Sequence, residues 1–162
     1  MRDELTGLLN RRQLDVEIAG PSSPEALPIA VLFVHLDGFK EMNDHFGHHA
    51  GDQLLAASAA RIEACSRPTD RVFRIGGDKF VILLLAVKSA QKALTVADRI
   101  VVQLRIRHQI DGQDLRVGAS VGVTWSDQPG DDGWPLVRDA DAALYVAKRA
   151  GKGQFALSPS NA

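Results

Sequence analysis

The sequence predicts an α/β domain with a mixed central sheet and flanking helices. Three observations carry this. Residues 29–34, Ile-Ala-Val-Leu-Phe-Val, are one continuous apolar run of strand length, as expected for a strand buried on both faces. Two further apolar runs, Val72–Ile75 and Phe80–Leu85, flank Gly76-Gly77. A glycine pair between such runs signals a hairpin with a primed turn, and so one antiparallel pair. Between these runs, apolar residues recur at helical spacing.

The elements follow in order. Residues 10–19 predict a short helix, with Leu14 and Ile18 four apart on one face. Gly20-Pro21-Ser22-Ser23-Pro24 breaks it into a loop. The apolar strand ends in His35-Leu36-Asp37, so His35 and Asp37 point to one side. Residues 51–64 predict a helix with Leu55, Ala59 and Ile62 as its apolar stripe. After the hairpin, residues 89–104 are helical through Ala93, Val96, Ala97 and Ile100. Residues 117–125 read as a strand, and Asp127–Asp132 as an acidic loop. Residues 136–150 form a last helix stopped by Gly151. A short strand through Phe155 closes a domain of residues 1–157, leaving 158–162 as tail or linker.

Composition narrows the function classes. At 162 residues and 45% hydrophobic, the chain buries one core. A net charge of -1 argues against a nucleic-acid polymer as partner. No apolar run approaches the ~20 residues of a membrane span, and no signal peptide is recognisable. Cys65 is the only cysteine, which suits a reducing cytoplasm. The small net charge conceals a segregation. Residues 1–60 hold 4 basic and 9 acidic side chains, whereas residues 61–116 hold 11 and 6. A basic middle, with Arg67, Arg74 and Arg99, points to a local anion site.

The hairpin Arg74-Ile75-Gly76-Gly77-Asp78-Lys79-Phe80 is the most informative motif. Two glycines let backbone approach a phosphate, and an adjacent acid can hold a metal. In isolation it is also an ordinary turn. Four further motifs accompany it in order: Asp3-Glu4-Leu5-Thr6-Gly7-Leu8-Leu9-Asn10-Arg11-Arg12; Asp37-Gly38-Phe39-Lys40-Glu41-Met42-Asn43-Asp44 with Gly47-His48 and Gly51-Asp52; Ser120-Val121-Gly122-Val123; and Asp141-Ala142-Ala143-Leu144-Tyr145-Val146-Ala147-Lys148 with Gly151-Lys152. Together they resemble the GGDEF domain, the diguanylate cyclase family, over nearly the whole chain.

That resemblance implies a palm-like nucleotide-cyclase fold. It implies that two domains face each other as a homodimer, each holding one GTP with two divalent metals, Mg2+ or Mn2+. The products are cyclic di-GMP and pyrophosphate. By position, Asn43 and Asp52 correspond to the guanine-binding pair. An amide offers donor and acceptor, and a carboxylate accepts from guanine N–H groups. Lys40, Lys148 and Lys152 correspond to phosphate contacts, with Gly76 and Gly77 lining the nucleotide and Asp78 as catalytic acid and metal ligand. The family usually has Arg at the Lys152 position, and Lys lacks its bidentate fork. His48 is expected to be structural and His49 exposed; Trp125 and Trp134 are expected to pack rather than to stack on a ligand.

Two departures fall on the metal site. His35 and Lys79 both stand where the family has acids, so the hairpin is GGDKF. Magnesium takes hard oxygen ligands, and an imidazole supplies neither the oxygen nor the charge. Asp37 shares a strand face with His35, but two residues span roughly 6.5 Å along a strand, so it is not expected to stand in. Asp78 therefore remains alone, and the cyclase is expected to be lost or impaired.

A second family site remains. Its mark is Arg-x-x-Asp ending six residues before the first hairpin glycine, which here selects Arg67-Pro68-Thr69-Asp70. Two other matches, Arg12/Asp15 and Arg138/Asp141, lack that register. Arg99 matches a second arginine of this product-inhibition site, where Arg67 would meet phosphate and guanine edges and Asp70 would accept from guanine nitrogens. Three readings stay open: a degenerate module binding cyclic di-GMP through Arg67, Asp70 and Arg99; an active diguanylate cyclase; and a GTP-binding regulator of an adjacent phosphodiesterase. The opening motif starts at Asp3, so upstream sensory sequence is expected, with this chain the C-terminal part or middle of a larger signalling protein.

Overall fold

The computed structural model describes residues 1–159. Helix α1 (Arg11–Ile18) begins at Asn10, whose side chain accepts from the Gln13 N–H and caps it. Strand β1 (Ile29–Asp37) runs into α2 (Phe39–Phe46) and α3 (His48–Ala64). Gly47 separates these two helices with φ 92°, a turn that a side chain would strain. The hairpin β2 (Arg71–Gly76) and β3 (Lys79–Leu84) precedes α4 (Ala90–Arg105), which Ser89 caps. A small hairpin follows, β4 (His108–Ile110) and β5 (Gln113–Leu115), then β6 (Gly118–Ser126), α5 (Trp134–Arg149) and β7 (Phe155–Leu157).

The five-stranded sheet has the order β2-β3-β1-β6-β7. It is mixed as expected, but only β6 and β7 run parallel; β1 is antiparallel to both β3 and β6. Strand β1 explains its own apolar run. Ala30, Leu32, Val34 and Leu36 enter a core under α3 and α4. Val31 and Phe33 enter a second core with Leu14 and Ile18 of α1 and Val137, Ala140 and Leu144 of α5. Helix α5 lies against β6 so closely that a Cβ on Gly122 would stand 1.9 Å from the Ala140 carbonyl oxygen.

Four expectations need correction. The β4–β5 hairpin was not predicted, because its strands are three residues each in a charge-rich stretch. Helix α3 begins at His48, ahead of Gly51, because Gly47 rather than Gly51 makes the turn. Neither Gly76 nor Gly77 adopts a positive φ, so the primed turn is not formed. The pair instead leaves open space: a Cβ on either glycine meets nothing within 4 Å. Ser158 belongs to the fold rather than to a linker, since it is buried and its N–H donates to the Val123 carbonyl at 2.8 Å. Residues 160–162 of the expected tail lie outside the described residues.

Candidate nucleotide and dinucleotide sites

The end of β1 and the hairpin turn build the first site. Antiparallel pairing sets His35 opposite Lys79, and the Leu36 N–H donates to the Asp78 carbonyl at 3.1 Å. The hairpin turn thereby brings the Asp78 carboxylate to the imidazole: His35 Nε2 lies 3.0 Å from Asp78 Oδ2. On its other side, His35 Nδ1 lies 3.7 Å from Asp37 Oδ1. That distance is an ion-pair approach rather than a hydrogen bond. Both of those atoms are buried and have no hydrogen-bond partner, so each is compensated by the other's charge.

The ring is thus held between two carboxylates. Asp37 first, then Asp78, raises the His35 pKa above its ordinary value, against burial and the positive field of Lys148. Burial would raise the Asp78 pKa, but the hydrogen bond and charge of His35, a backbone hydrogen bond and the Lys79 charge together outweigh it, and the net direction is down. Asp37 behaves alike, and its other oxygen accepts from Ser120 Oγ at 2.7 Å and the Gly153 N–H at 3.0 Å. Asp37 thus reaches the His35 ring, while its second oxygen is held by Ser120 and Gly153.

The donor set does not fit a pair of magnesium ions. Asp78 and Asp37 each face an imidazole drawn toward its cationic form, and Lys79 adds a further positive charge beside Asp78. Hard cations need unshielded anionic oxygens, which these side chains do not offer.

The other nucleotide residues are placed as follows. The Asn43 amide on α2 donates to His48 Nδ1 at 3.0 Å. Its oxygen lies over Gly51, where a Cβ would stand 2.0 Å from it. Gly51 is therefore a clearance for Asn43, and His48 fixes its amide, while His49 is exposed. Asp52 follows Gly51 on α3, exposed, as is Lys40 on α2. Lys148 at the end of α5 is half-buried and its charge reaches His35. Lys152 sits in the following loop with φ 61°, its N–H bonded to the Ala147 carbonyl at 3.2 Å. No hydrogen bond or ion pair joins Asn43 or Asp52 to Asp78 among the described residues.

The second site lies on the other face of the hairpin. Arg67, Asp70 and Arg99 line one groove of about 470 Å³ with Lys88, Lys92 and Cys65. Asp70 is buried at the entry to β2, its side chain 2% exposed. Its Oδ1 accepts from Arg67 Nη2 at 3.0 Å and the Leu85 N–H at 3.3 Å; its Oδ2 accepts from the Arg67 N–H at 2.9 Å and Nε at 3.3 Å. Arg67 Nη2 also donates to the Leu85 carbonyl. All four lone pairs of Asp70 are thus taken up by protein donors. Asp70 orients Arg67, which is 53% exposed and lines the groove, so the expected Asp70–guanine contact would have to displace these donors. Arg74, expected among the dinucleotide arginines, does not line this groove; it is a tie, bonded to Asp3 at 3.1 and 3.2 Å and to the Gly77 carbonyl at 3.0 and 3.2 Å. It fastens the opening motif to the hairpin turn.

A palm-like sheet with this hairpin at its edge defines a nucleotide-cyclase-type domain. The family model for "Diguanylate cyclase, GGDEF domain" matches residues 1–154, and the chain belongs to that family. It is 38% identical over 99% of its length to a bifunctional diguanylate cyclase/cyclic di-GMP phosphodiesterase, MucR, of Pseudomonas aeruginosa, and spans 24% of that protein. It is 36% identical over 98% of its length to the diguanylate cyclase TpbB of the same species, spanning 38% of it. The chain thus spans well under half the length of these relatives. Among solved structures, the GGDEF domain of Pseudomonas aeruginosa TpbB superposes with a TM-score of 0.89 at 35% identity, covering 99% of this chain and 96% of that one. The GGDEF domain of Caulobacter crescentus DgcB in complex with c-di-GMP gives 0.84 at 27% identity, covering 97% and 95%.

Proposed function

We propose that this domain is a cyclic di-GMP-binding module whose own cyclase chemistry is impaired. The observation that carries binding is the convergence of Arg67, Lys88, Lys92 and Arg99 on one groove whose only carboxylate, Asp70, is already saturated. Arg67 is paired with Asp70, but Lys88, Lys92 and Arg99 form no ion pair among the described residues, and this excess of cations suits a ligand with two phosphates. The guanidinium of Arg67, already aimed by Asp70, would lose little freedom on binding. Impairment rests on His35, which takes the bonding positions of the hairpin acid.

Calorimetry with cyclic di-GMP tests the reading. Saturable binding is expected, weakened at least roughly tenfold by Arg67→Ala or Arg99→Ala. Binding unaltered in both variants overturns it.

A second reading is favoured by one observation, the Asn43 amide held ready by His48 over Gly51. In that reading the domain binds GTP and regulates an adjacent phosphodiesterase; the relative MucR is named as both a diguanylate cyclase and a cyclic di-GMP phosphodiesterase. GTP binding that is lost in Asn43→Ala supports it.

A further inference from the structure

We propose that a site for a nucleoside monophosphate, bordering the hairpin turn and sharing Gly76 and Lys79 with it, lies on the α1–α5 side of the sheet around Lys79, Arg11 and Arg138. A hollow of about 350 Å³ opens there, a volume typical of small-ligand pockets. It is built from five elements of the fold, α1, β1, β2, β3 and α5. Phe33 and Val137 form a buried apolar floor, and the Trp134 indole forms a wall. Arg11, Lys79 and Arg138 bring three cations from α1, β3 and α5, against Asp141 as the only acid lining it.

Two of the three cations are not spent internally. Arg11 approaches Asp15 at 3.6 Å and stands over the Trp134 ring at 5.7 Å. Among the described residues, no ion pair or hydrogen bond engages the Lys79 ammonium or the Arg138 guanidinium. Both are exposed at the mouth. Lys79 is the residue that departs from the family's acid, so the positive mouth is made by the same substitution that weakens the metal site.

These features select the ligand class. A phosphate monoester carries about two negative charges, which an ammonium and a guanidinium fork accept. A flat base covers the apolar floor and meets the indole face or edge. Inorganic phosphate leaves the floor exposed to water, and an uncharged nucleoside leaves the cations unmatched. The Arg67–Arg99 groove packs on the first core through Leu84 and Val87, whereas this hollow packs on the second through Phe33 and Val137. The two sites therefore lie on opposite faces of the sheet, and this proposal stands independently of the function proposed above.

The test is a titration of the whole domain with GMP, read by the indole N–H signals in NMR. The Trp134 signal is expected to shift saturably. The Trp125 signal, whose indole donates to the Val87 carbonyl at 2.9 Å, stays fixed and reports that variants remain folded. Arg138→Glu and Lys79→Glu each weaken binding at least roughly tenfold, and guanosine and inorganic phosphate bind more weakly by a similar factor. Absence of a saturable Trp134 shift overturns the proposal, as does equal binding by guanosine or by both charge-reversal variants. Cyclic di-GMP affinity in Arg67→Ala is measured separately and does not bear on it.

Discussion

His35 Nε2 lies 3.0 Å from Asp78 Oδ2, so a residue of β1 and the acid of the hairpin turn satisfy each other directly. A carboxylate that must ligate a cation is thereby engaged by an imidazole. Replacing the imidazole by an acid frees it, but Lys79 still opposes metal charge. The expected outcome is graded: His35→Asp alone gives little product, and His35→Asp with Lys79→Glu raises cyclic di-GMP formation from GTP and Mg2+ at least roughly tenfold. Chromatography of the product checks this.

Asp70 holds Arg67 and the Leu85 N–H together. Asp70→Ala leaves a buried N–H without its acceptor, at a cost of about 1–3 kcal/mol. It also releases the Arg67 side chain. Thermal melting is expected to fall by several degrees, and cyclic di-GMP affinity to drop as Arg67 loses its orientation. Asp70→Asn, which keeps two acceptor positions, is expected to fall between.

A methyl group on Gly51 would stand 2.0 Å from Asn43 Oδ1. Gly51→Ala therefore expels the Asn43 amide from its place beside His48. GTP binding, measured by calorimetry, is expected to fall as far as in Asn43→Ala, while cyclic di-GMP binding stays unchanged.

Arg61 clamps the end of α4 by donating to the Gln103 carbonyl at 2.9 Å and the Arg107 carbonyl at 3.0 Å, and its Nη1 lies 3.2 Å from His108 Nε2. A cationic donor at that nitrogen requires a neutral ring. Burial, then Arg61, lowers the His108 pKa from 6.5 to about 4. The unfolded chain protonates this histidine below about pH 6.5 and the folded chain only below about 4. Stability from this residue is thus complete above pH 6.5 and is lost as pH falls toward 4. The loss is of the order of 3 kcal/mol. Denaturant unfolding at a series of pH values checks it, and His108→Gln is expected to flatten the slope over that window.

Much of the fold was legible because its signals are local. The apolar run of β1, the four-residue spacing of Leu14 and Ile18, and the runs flanking Gly76-Gly77 each depend on near neighbours in sequence. Illegible features join distant residues. The Asp3–Arg74 tie spans 71 positions, so Arg74 was counted with the dinucleotide arginines by charge alone. The saturation of Asp70 depends on Leu85, fifteen residues on. Asp37 was set aside on backbone spacing, which says nothing of a ring lying between two carboxylates. His48 and Gly51 belonged to a recognised motif, but only their geometry shows that both serve Asn43.

The central claim joins binding to the absence of turnover, so one assay tests both halves. The domain is incubated with GTP and Mg2+, and separately Mn2+, while nucleotide binding and product are measured on the same sample; cyclic di-GMP is then added. The account predicts no cyclic di-GMP formed from GTP and saturable cyclic di-GMP binding that depends on Arg67 and Arg99. Product formation by the unmodified domain, or no binding of cyclic di-GMP, would contradict it.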